Sequence, residues 1–221
     1  MLIEVRRKFK LLRDRVMHRI RGSQHVTRVF REIHSTNAWG HDETVSGPGS
    51  SLENTATLRL ALPSLVTKYG LKRVVDAPCG DFNWMKTTVG IFDEYTGVDI
   101  VPALIAANHR QYSGPGVRFE CADITRDYLP SCDLIICRDG FIHLPTWLIR
   151  DALRSFRSTG ASHLLLSNDS REFEYQEIPT GGLRPINFRK PPFNFPEPLE
   201  TILEDNYEGR QICLWRLDEI G

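Results

Sequence analysis

Three acidic residues follow short apolar runs at similar intervals along the chain. Asp76 ends the run Val74-Val75-Asp76, and Asp99 and Asp123 end two later runs, 94–98 and 117–122. Carboxylates at the ends of neighbouring parallel strands suit a ligand with hydroxyls and an amino-bearing ring, such as a nucleoside-like cofactor. Each aspartate alone could also cap the helix that follows it. The three together favour a binding site.

The turn at 76–82 narrows the kind of ligand. A dinucleotide site needs several glycines so that the backbone can approach a pyrophosphate, and this turn has only Gly80. One close backbone approach beside Asp76 instead fits a ligand with an α-amino acid tail, whose ammonium can meet the carboxylate. Asp99 is placed to accept hydrogen bonds from two ribose hydroxyls, and Asp123 from an exocyclic amine of adenine.

Alternating strands and helices are predicted to position these residues. Strands such as Leu134-Ile135-Ile136-Cys137 and Leu164-Leu165-Leu166 are continuous apolar runs, as expected for a parallel sheet covered by helices on both faces. A Gly/Ser loop at 46–51 precedes a helix over 54–69. The predicted strands are 73–77, 94–98, 117–121, 132–137 and 162–167, the intervening helices are 83–89, 101–111 and 146–158, and a closing hairpin spans 199–205 and 211–217.

The turn and its neighbours resemble a known family. The motif D-x-P-C-G-D-F-N-W-M at 76–85, with N-x-W-G at 37–40 and S-G-x-G-S at 46–50, resembles class I S-adenosylmethionine-dependent methyltransferases, in particular a bacterial and viral subset often found with surface-glycan biosynthesis. Two of the three glycines of the general D/E-x-G-x-G-x-G motif are replaced here. The resemblance spans roughly residues 32–218.

The resemblance implies a fold, a cofactor and a set of binding residues. The expected fold is α/β, a Rossmann-like, seven-stranded and mostly parallel sheet with a C-terminal antiparallel hairpin and helices on both faces. The expected cofactor is S-adenosyl-L-methionine. The implied cofactor-binding residues are Asp76, Pro78, Gly80, Asp81, Trp84, Asp99, Ile100, Asp123, Ile124 and Arg138.

The fourth predicted strand leads into the best catalytic candidates. In this fold class its tip faces the transferable methyl group, and an alcohol acceptor must lose its proton during attack, which requires a positioned base. We predict that His143 is this base and that Asp139 orients it or acts directly. Arg138 is expected to bind an acidic acceptor or the cofactor carboxylate. The alternative for His143 is a cap on the helix that starts near Pro145.

The acceptor is predicted to be a sugar, glycan or glycolipid hydroxyl. The loop 176–198 combines proline rigidity with polar and aromatic side chains, which suits a sugar but also suits a packed cover. The predicted substrate-binding residues are Trp39, Ser46, Arg184, Asn187, Phe193 and Asn194. Alternatives are N-methylation of a small metabolite, a nicotinamide-dependent oxidoreductase and a non-catalytic partner subunit that binds the cofactor. No metal is expected, because the histidines and cysteines lack ligand spacing.

Charge is uneven along a chain of 221 residues and zero net charge. Residues 1–22 hold eight Lys/Arg against two acidic residues, a local charge of +6. We predict a basic amphipathic helix over 3–21, within an N-terminal segment 1–30 that precedes a methyltransferase domain at 31–221. This helix could contact the domain itself, a protein partner or a membrane surface. The zero net charge of the whole chain predicts no nucleic-acid partner. Five cysteines without a C-x-x-C pair predict a cytoplasmic location, including the inner membrane face.

Overall fold

Seven strands form a single sheet in the computed structural model, which describes residues 6, 9–14, 16–17, 23–204 and 206–220. They are β1 (Arg73–Asp76), β2 (Glu94–Asp99), β3 (Val117–Cys121), β4 (Leu134–Cys137), β5 (His163–Asp169), β6 (Glu200–Leu203) and β7 (Arg210–Arg216). Their order is β3-β2-β1-β4-β5-β7-β6, in which β1 to β5 are parallel and β7 runs antiparallel to both its neighbours. The Rossmann-like sheet and the C-terminal hairpin predicted from the sequence are confirmed.

Apolar side chains cover both faces of the sheet at its centre, where every residue of β4 and β5 is buried. Successive side chains point to opposite faces, so Leu134 and Ile136 of β4 enter one core, while Ile135 and Cys137 enter the other. Buried side chains on both faces explain why β4 reads as an uninterrupted apolar run.

Among the described residues from 23 onward, four helices flank the sheet. They are α1 (Ser23–Ser35), α2 (Ala56–Tyr69), α3 (Pro102–Tyr112) and α4 (Thr146–Ser158). Apolar residues of α1 and α4 pack in the core of one face, and those of α2 and α3 pack in the core of the other. No helix among the described residues is long and apolar enough to cross a membrane.

The segment 83–89 departs from the predicted helix. It forms 3₁₀ turns at Met85–Thr87 and Val89–Ile91 instead of an α-helix. The run Thr87-Thr88-Val89 is β-branched and is followed by Gly90, and both features lower helix propensity. A short segment of this kind does not offset the cost of nucleating an α-helix.

The N-terminal region contains a second helix in addition to the one predicted over 3–21. Residues 9–14 and 16–17 are helical, and the remainder of the helix predicted over 3–21 lies almost wholly outside the described residues. The helix α1 follows as a separate element, and the predicted boundary between residues 30 and 31 falls inside it.

Candidate functional site

A deep cavity opens at the carboxyl ends of β1, β2 and β4. Its empty volume is about 1050 Å³, open mouth included. Sequence-predicted residues from six separate segments meet in its wall. They are Trp39, Ser46, Asp76, Pro78, Gly80, Trp84, Asp99, Ile100, Asp123, Ile124, Arg138, Asp139 and His143.

Asp76 ends β1 at the bottom of this cavity. Its side chain is almost fully buried, and its Oδ2 accepts a hydrogen bond of 2.8 Å from the Tyr95 hydroxyl. Burial raises the pKa of Asp76 to about 7, because a carboxylate loses hydration there. A buried carboxylate with one neutral donor is suited to receive a cationic group of a ligand, since that cation would favour the ionised form.

Asp99 ends β2 and fastens the turn that carries Gly80. Its Oδ2 accepts from the Gly80 N–H at 3.2 Å and its Oδ1 from the Val101 N–H at 3.0 Å. Burial raises the pKa of Asp99 above its ordinary value. Each carboxylate oxygen has two lone pairs, so Asp99 can still accept hydrogen bonds from ligand hydroxyls.

An apolar slot lies between Asp99 and Asp123. Asp123 shapes one wall, since its Oδ1 accepts from the N–H and the hydroxyl of Thr125 at 2.9 and 2.6 Å. The slot is lined by apolar side chains, which suit a flat heteroaromatic ring. These are Ile100, Val101, Leu104, Ala122 and Ile124.

The loop 44–46 covers the turn at Gly80. A Cβ added to Gly80 would lie 2.3 Å from the Ser46 Oγ, and Gly80 has a φ of +56°. The Asp81 carboxylate holds this loop, because it accepts from Thr44 Oγ1 at 2.9 Å, Val45 N at 3.0 Å and Ser46 Oγ at 3.0 Å. The predicted role of Asp81 as a cofactor ligand is therefore corrected, since its carboxylate is engaged by the loop and does not line the cavity.

Asn83 of the same motif fastens the next part of the covering loop. Its Nδ2 donates to Glu43 Oε1 at 2.5 Å and to the Ser50 carbonyl at 3.1 Å. Glu43 Oε1 also accepts from the Leu52 N–H at 2.7 Å. The polar residues of the 76–85 motif thus divide into two groups, with Asp76 lining the cavity and Asp81 and Asn83 holding its cover.

Two arginines and two acids form a cluster beyond the tip of β4. Arg138 donates to Glu204 Oε1 at 2.7 and 3.1 Å and to Asp139 Oδ2 at 3.1 Å, and Arg210 pairs with both acids. Although burial opposes the charged forms, the opposite charges raise the pKa of Arg138 and lower that of Asp139. The prediction that Arg138 binds an acidic ligand is corrected, because its guanidinium is neutralised internally.

His143 lies in a 3₁₀ turn, Phe141–His143, between β4 and α4. Its Nδ1 lies 2.7 Å from the Gly182 carbonyl, which can only accept, so Nδ1 carries the proton. The ring stacks on Trp39 with centroids 4.6 Å apart. Gly182, rather than Asp139 as predicted, therefore orients the ring by a hydrogen bond. Burial lowers the pKa of His143 below its ordinary value, so the neutral imidazole dominates at pH 7.

Four predicted substrate-binding residues lie outside the cavity, which corrects that assignment. Arg184 is buried and donates to the Leu144 carbonyl and the Tyr175 hydroxyl, each at 2.7 Å. Phe193 packs in the core, and the side chain of Asn187 accepts from the Arg189 N–H. Asn194 is exposed at a φ of +52°. The loop 176–198 is a packed cover, the alternative that its sequence left open.

Helix α1 supplies cavity residues that the sequence analysis missed. Val26, Phe30 and His34 line the cavity from this helix. Apolar residues at 26, 29, 30 and 33 have the spacing of an amphipathic helix, which is the signal that could have located them. The sequence held no comparable signal that Glu204 pairs with Arg138, because the two residues are 66 positions apart.

The parallel sheet and the acids at the carboxyl ends of its strands fit a binding site for a nucleoside-containing cofactor. Residues 74–160 match a methyltransferase domain family. The fold is similar to that of magnesium protoporphyrin IX methyltransferase from Synechocystis PCC 6803 with bound S-adenosylhomocysteine (16% identity, TM-score 0.57, 86% of this chain and 99% of that one). It is also similar to the methyltransferase domain of bacterial CtHen1 (16% identity, TM-score 0.55, 74% of this chain and 99% of that one). No curated protein sequence matches the chain.

The chain therefore carries a class I S-adenosylmethionine-dependent methyltransferase domain, and S-adenosylmethionine is its cofactor. The donor set of the cavity fits this molecule. Asp76 and the Gly80 turn suit the amino acid tail, Asp99 the ribose hydroxyls, and Asp123 with the apolar slot the adenine. No cluster of potential metal ligands occurs within the described part of the chain.

Proposed function

We propose that the protein transfers a methyl group to a hydroxyl of its acceptor, with His143 as the general base. The observation that carries the proposal is the 2.7 Å contact between His143 Nδ1 and the Gly182 carbonyl. This contact fixes the tautomer whose Nε2 has a free lone pair, and His143 lines the cavity. When bound, S-adenosylmethionine supplies an electrophilic methyl group on its sulfonium centre.

A hydroxyl acceptor explains why a base is needed here. An alcohol is a poor nucleophile until its proton is removed, and a positioned histidine can accept that proton as the oxygen attacks. The stacking on Trp39 and the bond to Gly182 hold the ring in one orientation. Because His143 is neutral at pH 7, it can accept a proton without a preceding ionisation step.

The lining near His143 supports an uncharged acceptor with apolar C–H surface, such as a sugar ring of a glycan or glycolipid. Phe30, Trp39 and Leu144 supply apolar contacts there. Arg138 is the one lysine or arginine among the described cavity residues, and Glu204 and Asp139 neutralise it. A phosphate-rich acceptor, including nucleic acid, would find little positive charge in this cavity.

Transfer to a panel of acceptors tests the proposal. Methyl glycosides, glycolipids, phenols, amines and an oligonucleotide would be incubated with radiolabelled S-adenosylmethionine, and labelled product counted. We expect label in hydroxyl-bearing sugars or glycolipids and none in the oligonucleotide. Label confined to amines would replace the proposal with N-methylation. Binding of S-adenosylhomocysteine without transfer to any acceptor would favour a non-catalytic role.

A further inference from the structure

A stripe of exposed apolar side chains runs along the N-terminal helical segment 9–14 and 16–17. Phe9, Leu12 and Val16 are 69%, 62% and 43% exposed, and their spacing of three and four residues places them on one helix face. We call these three residues the outer stripe. A contiguous apolar stripe on a surface helix usually marks a contact with another surface.

The opposite face of this segment is attached to the domain. Asp14 is buried, and its Oδ1 lies 2.5 Å from His25 Nε2. Its Oδ2 accepts from the N–H and the hydroxyl of Thr180 at 3.1 and 2.8 Å. A helix held by a polar anchor with its apolar residues outward is the reverse of ordinary core packing. The outer stripe therefore serves a surface outside the described chain.

We propose that the outer stripe docks on an anionic membrane surface. Lys10 and Arg13 are exposed on the same segment, Arg6 is exposed ahead of it, and residues 1–22 carry a net charge of +6. Apolar side chains flanked by basic ones are the pattern of helices that lie in the headgroup region of anionic bilayers. Charge complementarity thus identifies the partner as an anionic lipid surface.

The same charge opposes the occupant that an apolar stripe would otherwise suggest, a second copy of this chain. Self-association through the outer stripe would bring two segments of +6 face to face, and like charges in contact are repulsive. An anionic lipid surface removes that repulsion and also receives Phe9, Leu12 and Val16.

Docking at the outer stripe would also bring the membrane close to the cavity. The Asp14–His25 contact joins the segment to α1, and Val26, Phe30 and His34 of α1 line the cavity. A membrane bound at the outer stripe would therefore lie near one wall of the cavity.

Vesicle co-sedimentation of the full chain tests the proposal. The probes are vesicles of phosphatidylcholine alone and vesicles with about one third phosphatidylglycerol. We expect the wild-type chain to bind the anionic vesicles, and the binding to weaken as salt increases. Combined Phe9→Ser, Leu12→Ser and Val16→Ser substitutions should lower the partition coefficient at least about tenfold, since three apolar side chains no longer enter the interface.

Leu60→Ser is the matched control, because Leu60 is 82% exposed on α2, away from the outer stripe. It should bind vesicles as the wild type does, and all variants should keep the wild-type affinity for S-adenosylhomocysteine. The proposal is overturned if the wild type does not bind anionic vesicles, or if the triple variant binds them as well as the wild type does. It is also overturned if light scattering shows a dimer that the triple variant abolishes, since the occupant would then be a second copy.

Discussion

The His143 ring donates its Nδ1 proton to the carbonyl of Gly182 over 2.7 Å, and this bond determines what the histidine can do. A backbone carbonyl cannot take up the proton, so Nδ1 stays protonated and the lone pair remains on Nε2. No described residue donates a hydrogen bond to Nε2, and His143 lines the cavity. A loop residue 39 positions away thus sets the tautomer of the proposed base.

Replacing His143 by glutamine should remove the base and retain the cavity. We expect the turnover number for a hydroxyl acceptor to fall about 10²–10⁴-fold, the usual contribution of a positioned base. The affinity for S-adenosylhomocysteine, measured by calorimetry, should change less than twofold, because the cofactor-binding acids are untouched. Since burial lowers the pKa of His143 below its ordinary value, the wild-type turnover number at saturating cofactor should fall with acidity only below pH 6.5.

His109→Gln is the control for this substitution, because His109 is exposed on α3 and contacts Ser113 only locally. It should leave the turnover number unchanged. If His143→Gln also retained full turnover of a hydroxyl acceptor, the base assignment would be wrong.

Cofactor affinity should depend on pH through Asp76. Its pKa of about 7 in the free protein means that the carboxyl is protonated below pH 7, and the ammonium of the ligand favours the ionised form. Affinity should therefore rise about tenfold per pH unit on approaching pH 7 from below and level off above it. Titration calorimetry with S-adenosylhomocysteine between pH 5.5 and 8 measures this slope.

Asp76→Asn provides the comparison, since an amide keeps an acceptor for the Tyr95 hydroxyl but does not titrate. The variant should bind more weakly at pH 8 and show a flat profile. A wild-type profile that was equally flat would contradict a role for Asp76 in receiving the ammonium.

Two glycine substitutions can separate the energetic cost of a clash with Ser46 at position 80 from the cost of the left-handed backbone conformation. Gly80→Ala should destabilise the protein by about 2–4 kcal/mol, because the new Cβ would lie 2.3 Å from Ser46 Oγ at a left-handed φ. Gly70→Ala, with a similar φ and nothing within 4 Å, should cost only about 1 kcal/mol. Urea denaturation measures both.

The double variant Gly80→Ala, Ser46→Gly should recover much of the difference, because the clashing hydroxyl is gone. Equal costs for Gly80→Ala and Gly70→Ala would show that the covering loop yields freely, and that Ser46 does not constrain the turn.

The sheet could be predicted because its signal is local. β4 and the first half of β5 are apolar runs, and the acids at 76, 99 and 123 lie at or just past the ends of β1 to β3. The α-helix predicted over 83–89 was wrong. The position of this segment between two strands suggested a helix, but its β-branched residues oppose one. Position in an alternating pattern indicates a connection but not its conformation.

The site was predicted less completely because side-chain partners are set by tertiary contacts. Asp81 lies in the motif beside Gly80, yet its carboxylate serves a loop 35 residues earlier. Arg184 and Phe193 combine types that suit a sugar site, but the loop that carries them folds against the core. No periodicity in such a loop tells which side chains face inward, so residue type alone misassigned them.

Thr180 should act as a positioning residue for His143. Its hydroxyl and N–H donate to Asp14, while the next residue, Gly181, donates its N–H to the His143 carbonyl at 2.9 Å and Gly182 accepts from the ring. Thr180→Val removes the hydroxyl bond with little change of shape. We expect a threefold to tenfold lower turnover number, unchanged affinity for S-adenosylhomocysteine, and an acid limb of the pH–rate profile shifted toward 6.5 as the ring loses its buried position.

The control for Thr180→Val is Thr67→Val, because the Thr67 hydroxyl bonds only the Pro63 carbonyl within α2. It removes the same hydroxyl at an exposed site and should leave both the turnover number and the pH–rate profile unchanged. A merely structural role for Thr180 would lower thermal stability without moving the acid limb. An unshifted limb in Thr180→Val, with turnover kept, would therefore show that the Asp14 anchor does not reach the proposed base.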